Sequence, residues 1–257
     1  MRLRIALRPL QGSVLLPWHY PVQLQALVYR WISAANAQLA RKLHDQGFAY
    51  ASRRYKLFVY SLLYGGQSRA ERAGIRMEGQ LSFWIASPMR ELVEAVAAGL
   101  LQRSEVELGE VLLQVEQVLV EPSPNFSGPR VRMQTLSPLV VSTGLQQGGR
   151  LEKRFLDPSE PDFSRVLGEN LRRKAALLGI PEGEGEVRLE PLRMRSRLFR
   201  VHGTNVRAWE GQFYLQAPVE LLQVGYEAGL GERNGQGFGM VRLLLDGPPG
   251  RRTRSVG

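Results

Sequence analysis

Histidine is the side chain best suited to trading protons near neutral pH, and this sequence has three: His19, His44 and His202. His44 has the setting most suited to chemistry. It falls near the end of a helix-patterned stretch, directly before Asp45 and a turn at Gly47. A helix C-terminus stabilises imidazolium, so a proton donor or base would suit that place. An exposed helix-end residue capping carbonyls would suit it equally. The other marked stretch is Gly229-Leu-Gly231-Glu-Arg-Asn-Gly235-Gln-Gly237-Phe238-Gly239, with five glycines in eleven residues. Glycine loses the most backbone freedom on folding, so this density points to close backbone approach to a ligand, with Arg233 and Asn234 as polar hooks. Exposed N–H groups in such a loop suit phosphate oxygens; a glycine-rich turn without a ligand is the alternative. The chain has no G-K-[S/T] tripeptide, which excludes a Walker loop. Asn234 stands where a dinucleotide fingerprint needs its third glycine, and the loop precedes the last strand instead of following the first.

The elements that must position these groups follow from periodicity. Arg2 to Arg8 alternates as a strand. Tyr20 to Leu43 places apolar residues at helical spacing, with an interruption at Ser33 to Asn36 and a stop at Gly47. Lys56 to Leu63 and Gly79 to Ala86 read as strands, Ser87 to Leu101 as a helix, and Val106 to Val120 as a strand. A linker rich in turn formers, Glu121 to Pro129, follows. The same order then repeats: strand Val131 to Val141, helix Asp162 to Leu178, strands Val187 to Val201 and Asn205 to Ala217, helix Pro218 to Ala228, strand Met240 to Leu245. This β-α-β-β-α-β order is the ferredoxin-like signature. The expected fold is therefore α+β, with two tandem ferredoxin-like domains, each a four-stranded antiparallel sheet with helices on one face. The domains are expected at 1–121 and 130–246, with a flexible basic tail at 247–257.

Composition narrows the partner. The 257 residues carry a net charge of +10, and all but four of the 34 basic residues are arginine. Arginine presents a planar fork that matches phosphate and stacks on bases, and the excess favours a polyanion, most often nucleic acid. The absence of cysteine removes disulfides and cysteine-bound zinc. No H-E-x-x-H and no paired His/carboxylate cluster is present, so no metal site or cofactor is expected. No apolar run approaches the roughly 18 residues of a membrane span, and a cytoplasmic protein without membrane contact is expected.

At this point the chain resembles the CRISPR-associated endoribonucleases that cut CRISPR repeat transcripts into guide RNAs, within the superfamily of repeat-associated RNA-binding proteins. Gly229-x-Gly231-x5-Gly237-Phe238-Gly239 matches that family's C-terminal signature. The N-terminal strand, Tyr20-Pro-x-x-Leu-Gln-x-Leu-Val-Tyr29, Leu43-His44-Asp45-x-Gly47 and Phe58-Val-Tyr-Ser61 support it. The resemblance implies metal-independent attack by a ribose 2′-hydroxyl at the 3′ side of a repeat hairpin, leaving a 2′,3′-cyclic phosphate and a 5′-hydroxyl. It makes His44 the leading catalytic candidate. It also matches Tyr29 and Lys56 to the tyrosine and lysine that join the histidine in some members, with Arg53 and Arg54 as substitutes. The alternative within the superfamily is a non-catalytic subunit that holds guide RNA in an effector complex. A homodimer and effector-complex subunits stay open as partners beside the repeat RNA.

Further RNA contacts are expected from Arg193, Arg195 and Arg197, which alternation places on one strand face, and from Arg200. Such a row can track the phosphates of an RNA stem; a solvated strand face is the alternative. Gly229, Gly231, Arg233, Asn234, Gly237, Phe238 and Gly239 complete the expected RNA-binding set, with Phe238 either stacked on a base or packed beneath the loop. His202, in a turn near Arg200 and Arg207, also suits RNA contact. Arg172, Arg173 and Lys174 read as solvated helix surface.

Overall fold

The structure, a computed structural model, describes residues 1–147, 150–201 and 203–244. His202 and the expected tail at 247–257 therefore lie outside the described residues. The architecture is α+β, with two tandem ferredoxin-like units.

In the first half, β1 (Arg2–Pro9) turns Leu3, Ile5 and Leu7 into the core, and β2 (Ser13–Pro17) follows. Helix α1 (Tyr20–Ala35) carries a proline in its first turn and buries Leu24, Leu27, Val28, Trp31 and Ile32 along one stripe. Asn36 breaks the helix where expected. Its side chain accepts from the Leu39 N–H at 2.9 Å and so starts α2 (Ala37–Arg41). A π-helical turn (Lys42–Gln46) follows, then a small hairpin of β3 (Phe48–Tyr50) and β4 (Arg53–Tyr55). Next come β5 (Val59–Tyr60), β6 (Tyr64–Glu71), β7 (Gly74–Ala86), α3 (Arg90–Leu101), β8 (Glu105–Leu108) and β9 (Val111–Glu121).

The sheet runs β2-β7-β1-β9-β8, with β5 and β6 also paired to β7. It has seven strands, not the expected four. The added strands are peripheral: β2 is short, β8 is split from β9 by a turn at Gly109, and β6 is almost wholly exposed. An exposed strand shows no apolar alternation, so periodicity misses it. The expected strand Lys56 to Leu63 pairs only at Val59–Tyr60, because Leu57 takes a left-handed backbone (φ 54) that interrupts it.

The second half contains β10 (Arg130–Thr135), a separate hairpin of β11 (Ser142–Gln147) and β12 (Arg150–Phe155), α4 (Pro161–Leu178), β13 (Arg188–Val201), β14 (Thr204–Gln216), α5 (Val219–Ala228) and β15 (Val241–Leu243). Its main sheet, β13-β14-β10-β15, has the expected four strands. The expected strand Val131 to Val141 ends at Thr135; Leu136 to Val141 leave the sheet buried, with Leu139 held to Trp209 by a single antiparallel bridge. Helix α4 stops at Gly179, which adopts the left-handed conformation (φ 65) of a C-terminal cap.

The halves are locked together by side chains that cross between them. The fully buried Arg2 guanidinium donates twice, at 3.0 Å, to the Val241 carbonyl and lies over the Tyr226 ring. Tyr55 and Leu57, from the first half, are buried in the second half's core with Phe163, Leu167 and Leu171.

Candidate active site

A cleft of about 570 Å³ opens where α1, the π-turn, α4 and the glycine-rich loop meet. The π-turn ends at Gly47 (φ 61), whose N–H donates to the Lys42 carbonyl at 2.8 Å. Such wide turns recur at functional sites. Here the turn lifts His44 into solvent: the ring is 73% exposed, and its Nδ1 lies 2.8 Å from Asp45 Oδ1. With Nδ1–H held by that carboxylate, Nε2 is the nitrogen left to face a substrate.

Two further groups fix this turn. The Tyr29 ring, on α1, meets the imidazole edge-on at 5.7 Å and also packs against Phe58. Burial pushes the Tyr29 phenol up to about 12, so it keeps its proton well above neutral pH. The Lys56 ammonium donates to the carbonyl of Leu43 and, at 2.7 Å, to that of His44. Of its three N–H groups, two are thus spent on the C-terminal carbonyls of the turn. Burial lowers the Lys56 pKa, Asp45 raises it and Arg54 lowers it. Arg54 adds a hydrogen bond to the Gln46 carbonyl at 2.9 Å. The structure therefore brings His44, Tyr29 and Lys56 to one cleft, which Arg53, Arg54, Lys153, Arg233, Asn234 and Gln236 also line.

The glycine-rich loop forms the facing wall, by a means the sequence reading did not foresee. Gly229, Gly231, Gly237, Phe238 and Gly239 are buried, and of these five expected RNA contacts Gly231 is the one that lines the cleft. The N–H groups of Gly237 and Gly239 already donate within the protein, to Asn234 and Pro138 carbonyls. The glycines serve close packing. A Cβ on Gly237 would stand 2.7 Å from the Tyr60 ring, and one on Gly235 would stand 3.0 Å from the Lys56 side chain. Gly237 also sits at φ 82, which L-residues disfavour. Phe238 packs edge-on to Phe199. Of this stretch, Gly231 to Gln236 line the cleft, with Arg233 and Asn234 as its polar hooks. Asn234 also staples the loop to itself, its Nδ2 donating to the Leu230 and Phe238 carbonyls at 3.1 and 3.0 Å.

Lys174 is the residue most misplaced by the sequence reading. It is 1% exposed, not solvated surface. Its ammonium donates to the carbonyls of Gly229 (2.6 Å) and Gly231 (3.0 Å) and to Asn234 Oδ1 (2.8 Å). It thereby ties α4 to the loop. Burial lowers its pKa to about 7, against an opposing contribution from Glu232. A signal for it was present: in a chain that otherwise writes arginine, Lys56, Lys153 and Lys174, every lysine but Lys42, line this cleft. A compact ammonium fits a ring of carbonyls that a guanidinium fork would overfill.

Arg193, Arg195 and Arg197 share one face, as expected, and line a second cleft of about 600 Å³ with Trp18, Tyr64 and Gln212. They are not all unpaired: Glu210 holds Arg195 at 2.7 Å and Arg197 at 3.3 Å. Arg200 is exposed but lies on the alternate register, outside that cleft. His19 heads α1 without making a side-chain cap. Among the described residues no group of three His, Cys, Asp or Glu could hold a metal ion, and no helix is long and apolar enough to cross a membrane.

Residues 15–119 match the family model for the CRISPR-associated protein Cas6, N-terminal, and residues 121–243 match that for the CRISPR associated protein Cas6, C-terminal. The chain is 27% identical over 248 residues to the CRISPR-associated endoribonuclease Cas6 1 of Methanocaldococcus jannaschii, covering 96% of this chain and 94% of that protein. It is 29% identical over 231 residues to the CRISPR-associated endoribonuclease Cas6 of Pyrococcus furiosus, covering 88% and 83%. A solved structure described as CRISPR associated protein Cas6 superposes with a TM-score of 0.78 at 27% identity, covering 95% of this chain and 99% of that one. The product of a Cas6-related gene from Pyrococcus furiosus shares the fold, with a TM-score of 0.84 at 23% identity over 96% and 99% of the two chains.

Proposed function

The chain belongs to the Cas6 family of CRISPR-associated endoribonucleases, and on that premise we propose that it cuts CRISPR repeat RNA by in-line attack of a ribose 2′-hydroxyl on the adjacent phosphate. The new bond joins the 2′-oxygen to phosphorus, and the bond from phosphorus to the 5′-oxygen breaks. The 2′-hydroxyl proton goes to a base, and the leaving oxygen takes one from an acid. The products are a 2′,3′-cyclic phosphate and a 5′-hydroxyl, with no net gain of atoms until the cycle is opened. RNA supplies its own nucleophile, so the protein needs acid–base help, positive charge and enforced geometry.

His44 is the acid–base group, with Asp45 fixing its tautomer. Tyr29, a neutral phenol edge-on to the imidazole, orients the ring and the phosphate. Lys56 has one N–H beyond the two that hold the turn, and that N–H is the one directed to the phosphorane. Arg53, Arg54 and Arg233 add positive charge in the same cleft. The arginine row of the second cleft carries the rest of the RNA, and the units at 1–121 and 130–246 act as two domains of one clamp. Convergence of His44, Tyr29 and Lys56 at one exposed basic cleft is the observation that carries this reading. The test is incubation of end-labelled repeat RNA with the protein in EDTA, mapping both product ends. A cyclic phosphate and a 5′-hydroxyl are expected. A strict magnesium requirement, or a 5′-phosphate product, would overturn the mechanism. Binding without cutting would point to a guide-holding subunit.

A further inference from the structure

The Lys56 side chain runs between two glycines, one from each wall of the helix-lined cleft. A Cβ built on Gly235, in the glycine-rich loop, would stand 3.0 Å from Lys56 Cγ and 3.1 Å from its Cβ. One built on Gly47, where the π-turn ends, would stand 3.4 Å from Lys56 Cδ and 3.5 Å from Nζ. The loop thus bears on the stem of a side chain whose ammonium holds the Leu43 and His44 carbonyls.

Local preference does not give the loop its shape. Gly229, Gly231 and Arg233 all take left-handed backbone (φ 85, 66 and 59). A non-glycine residue keeps such a conformation only where its surroundings over-determine it. Lys174 supplies those surroundings. It donates to the Gly229 and Gly231 carbonyls ahead of Arg233, and to Asn234 Oδ1 directly after it. These three bonds use every N–H of an ammonium, and the side chain is buried. Lys174 therefore has no donor left for a phosphate, although it lines the cleft.

We propose that Lys174 is a positioning residue for the cleavage: by fixing the loop it sets Gly235 against Lys56, and through Lys56 it sets the turn that presents His44. The proposal rests on the RNA-cleaving reading above and adds to it a residue that does not touch the substrate. In-line attack tolerates little displacement of the acid–base group, since a misplacement of about 1 Å can slow a reaction about 10²-fold. Close-packed interiors have low compressibility and transmit strain, so a loop that moves against the Lys56 stem moves the carbonyls its ammonium holds.

The test measures single-turnover cleavage of labelled CRISPR repeat RNA at saturating protein, beside RNA affinity, for the wild type, Gly235→Ala and Lys174→Met. Gly235 is not among the glycines with left-handed backbone, so alanine suits its chain path. The change then reaches only what the methyl meets, Lys56 and, at 3.4 Å, the Phe58 ring. Lys174→Met carries a stability cost of its own, so Gly235→Ala decides. Its rate at saturation is expected to fall about tenfold, with affinity within about twofold of wild type. Lys174→Met should show the same split wherever it folds. In NMR spectra of Gly235→Ala the His44 ring signal, identified by its loss in His44→Ala, should move, because the Tyr29 ring 5.7 Å away makes it sensitive to small shifts. A packing role alone would lower the folded fraction and leave both the rate of the folded molecule and the His44 signal untouched. A Gly235→Ala variant that cuts at the wild-type rate, or that loses affinity while keeping its saturating rate, would overturn the positioning role and leave the nuclease reading intact. A wild type that binds the repeat without cutting it would overturn the nuclease reading first, and the positioning role with it.

Discussion

Both clefts are basic, but they hold their cations by opposite means. The helix-lined cleft holds its cations in place: Lys56 is spent on turn carbonyls, Lys174 on loop carbonyls, and Lys153 on Glu232 at 2.6 Å. The strand-lined cleft exposes its arginines, two of which share one carboxylate, Glu210. Fixed charges suit chemistry, since they are oriented before the substrate arrives. Exposed, rotatable guanidinium groups suit a polyanion whose sequence they do not read. The difference teaches that net charge alone locates neither function. What separates the clefts is how many of their polar groups the protein itself has already immobilised.

The comparison can be broken at its strongest point by Lys174→Met. That change leaves the Gly229 and Gly231 carbonyls and Asn234 Oδ1 buried without their donor. A loss of about 3 kcal/mol is expected from the cost of unsatisfied buried acceptors, read by chemical denaturation. Unchanged stability would mean that the helix-lined cleft is no more built than the other. Next in size, His44→Ala should slow cleavage by at least about 10²-fold, with little change in RNA affinity. A rate within a few-fold of wild type would remove His44 from the mechanism. Gly237→Ala should cost about 2 kcal/mol, because the new methyl meets the Tyr60 ring at a backbone φ of 82; a melting curve checks it.

The second cleft is sharpened by Arg193→Ala and Arg195→Ala. Each should weaken RNA binding and reduce the slope of log affinity against log salt by about one, with the rate of the bound complex unaltered. Titrations at several salt concentrations decide it. A pH dependence is expected as well. Burial lowers the folded-state pKa of Lys174 to about 7, below the value of an unfolded lysine. Between those two values the unfolded chain binds the extra proton, so stability should rise with pH across that window and level off above it. It falls back as pH drops toward 7. Lys174→Met should flatten that rise, and an identical slope in the variant would show that Lys174 does not titrate there.

The architecture was legible because its central elements alternate cleanly: β1 and α1 declare themselves through Leu3, Ile5 and Leu7 and through Leu24 to Ile32. The peripheral strands were not legible. Strand β6 is exposed on nearly every residue and the β11–β12 hairpin is mostly polar, so neither carries a burial pattern. His44 could be placed because a helix end, Asp45 and Gly47 lie next to it in sequence. Lys174 was signalled only by being a lysine in an arginine-rich chain, since its partners, two backbone carbonyls and Asn234 Oδ1, lie more than fifty residues away. The glycine-rich stretch drew attention correctly, and within the protein its glycines make close contacts that no side chain could. Local sequence shows that a backbone must approach something; it does not show whether that is a phosphate or the ring of Tyr60.

The seat of the glycine-rich loop has a consequence for folding. Its glycines rest on Lys56, Phe58 and Tyr60, and the Arg2 guanidinium reaches the Val241 carbonyl. The two walls of the cleft are thus joined by pairings of very high sequence separation, which are slow to close because the intervening chain must be ordered first. Neither half alone makes the pocket in which His44 sits.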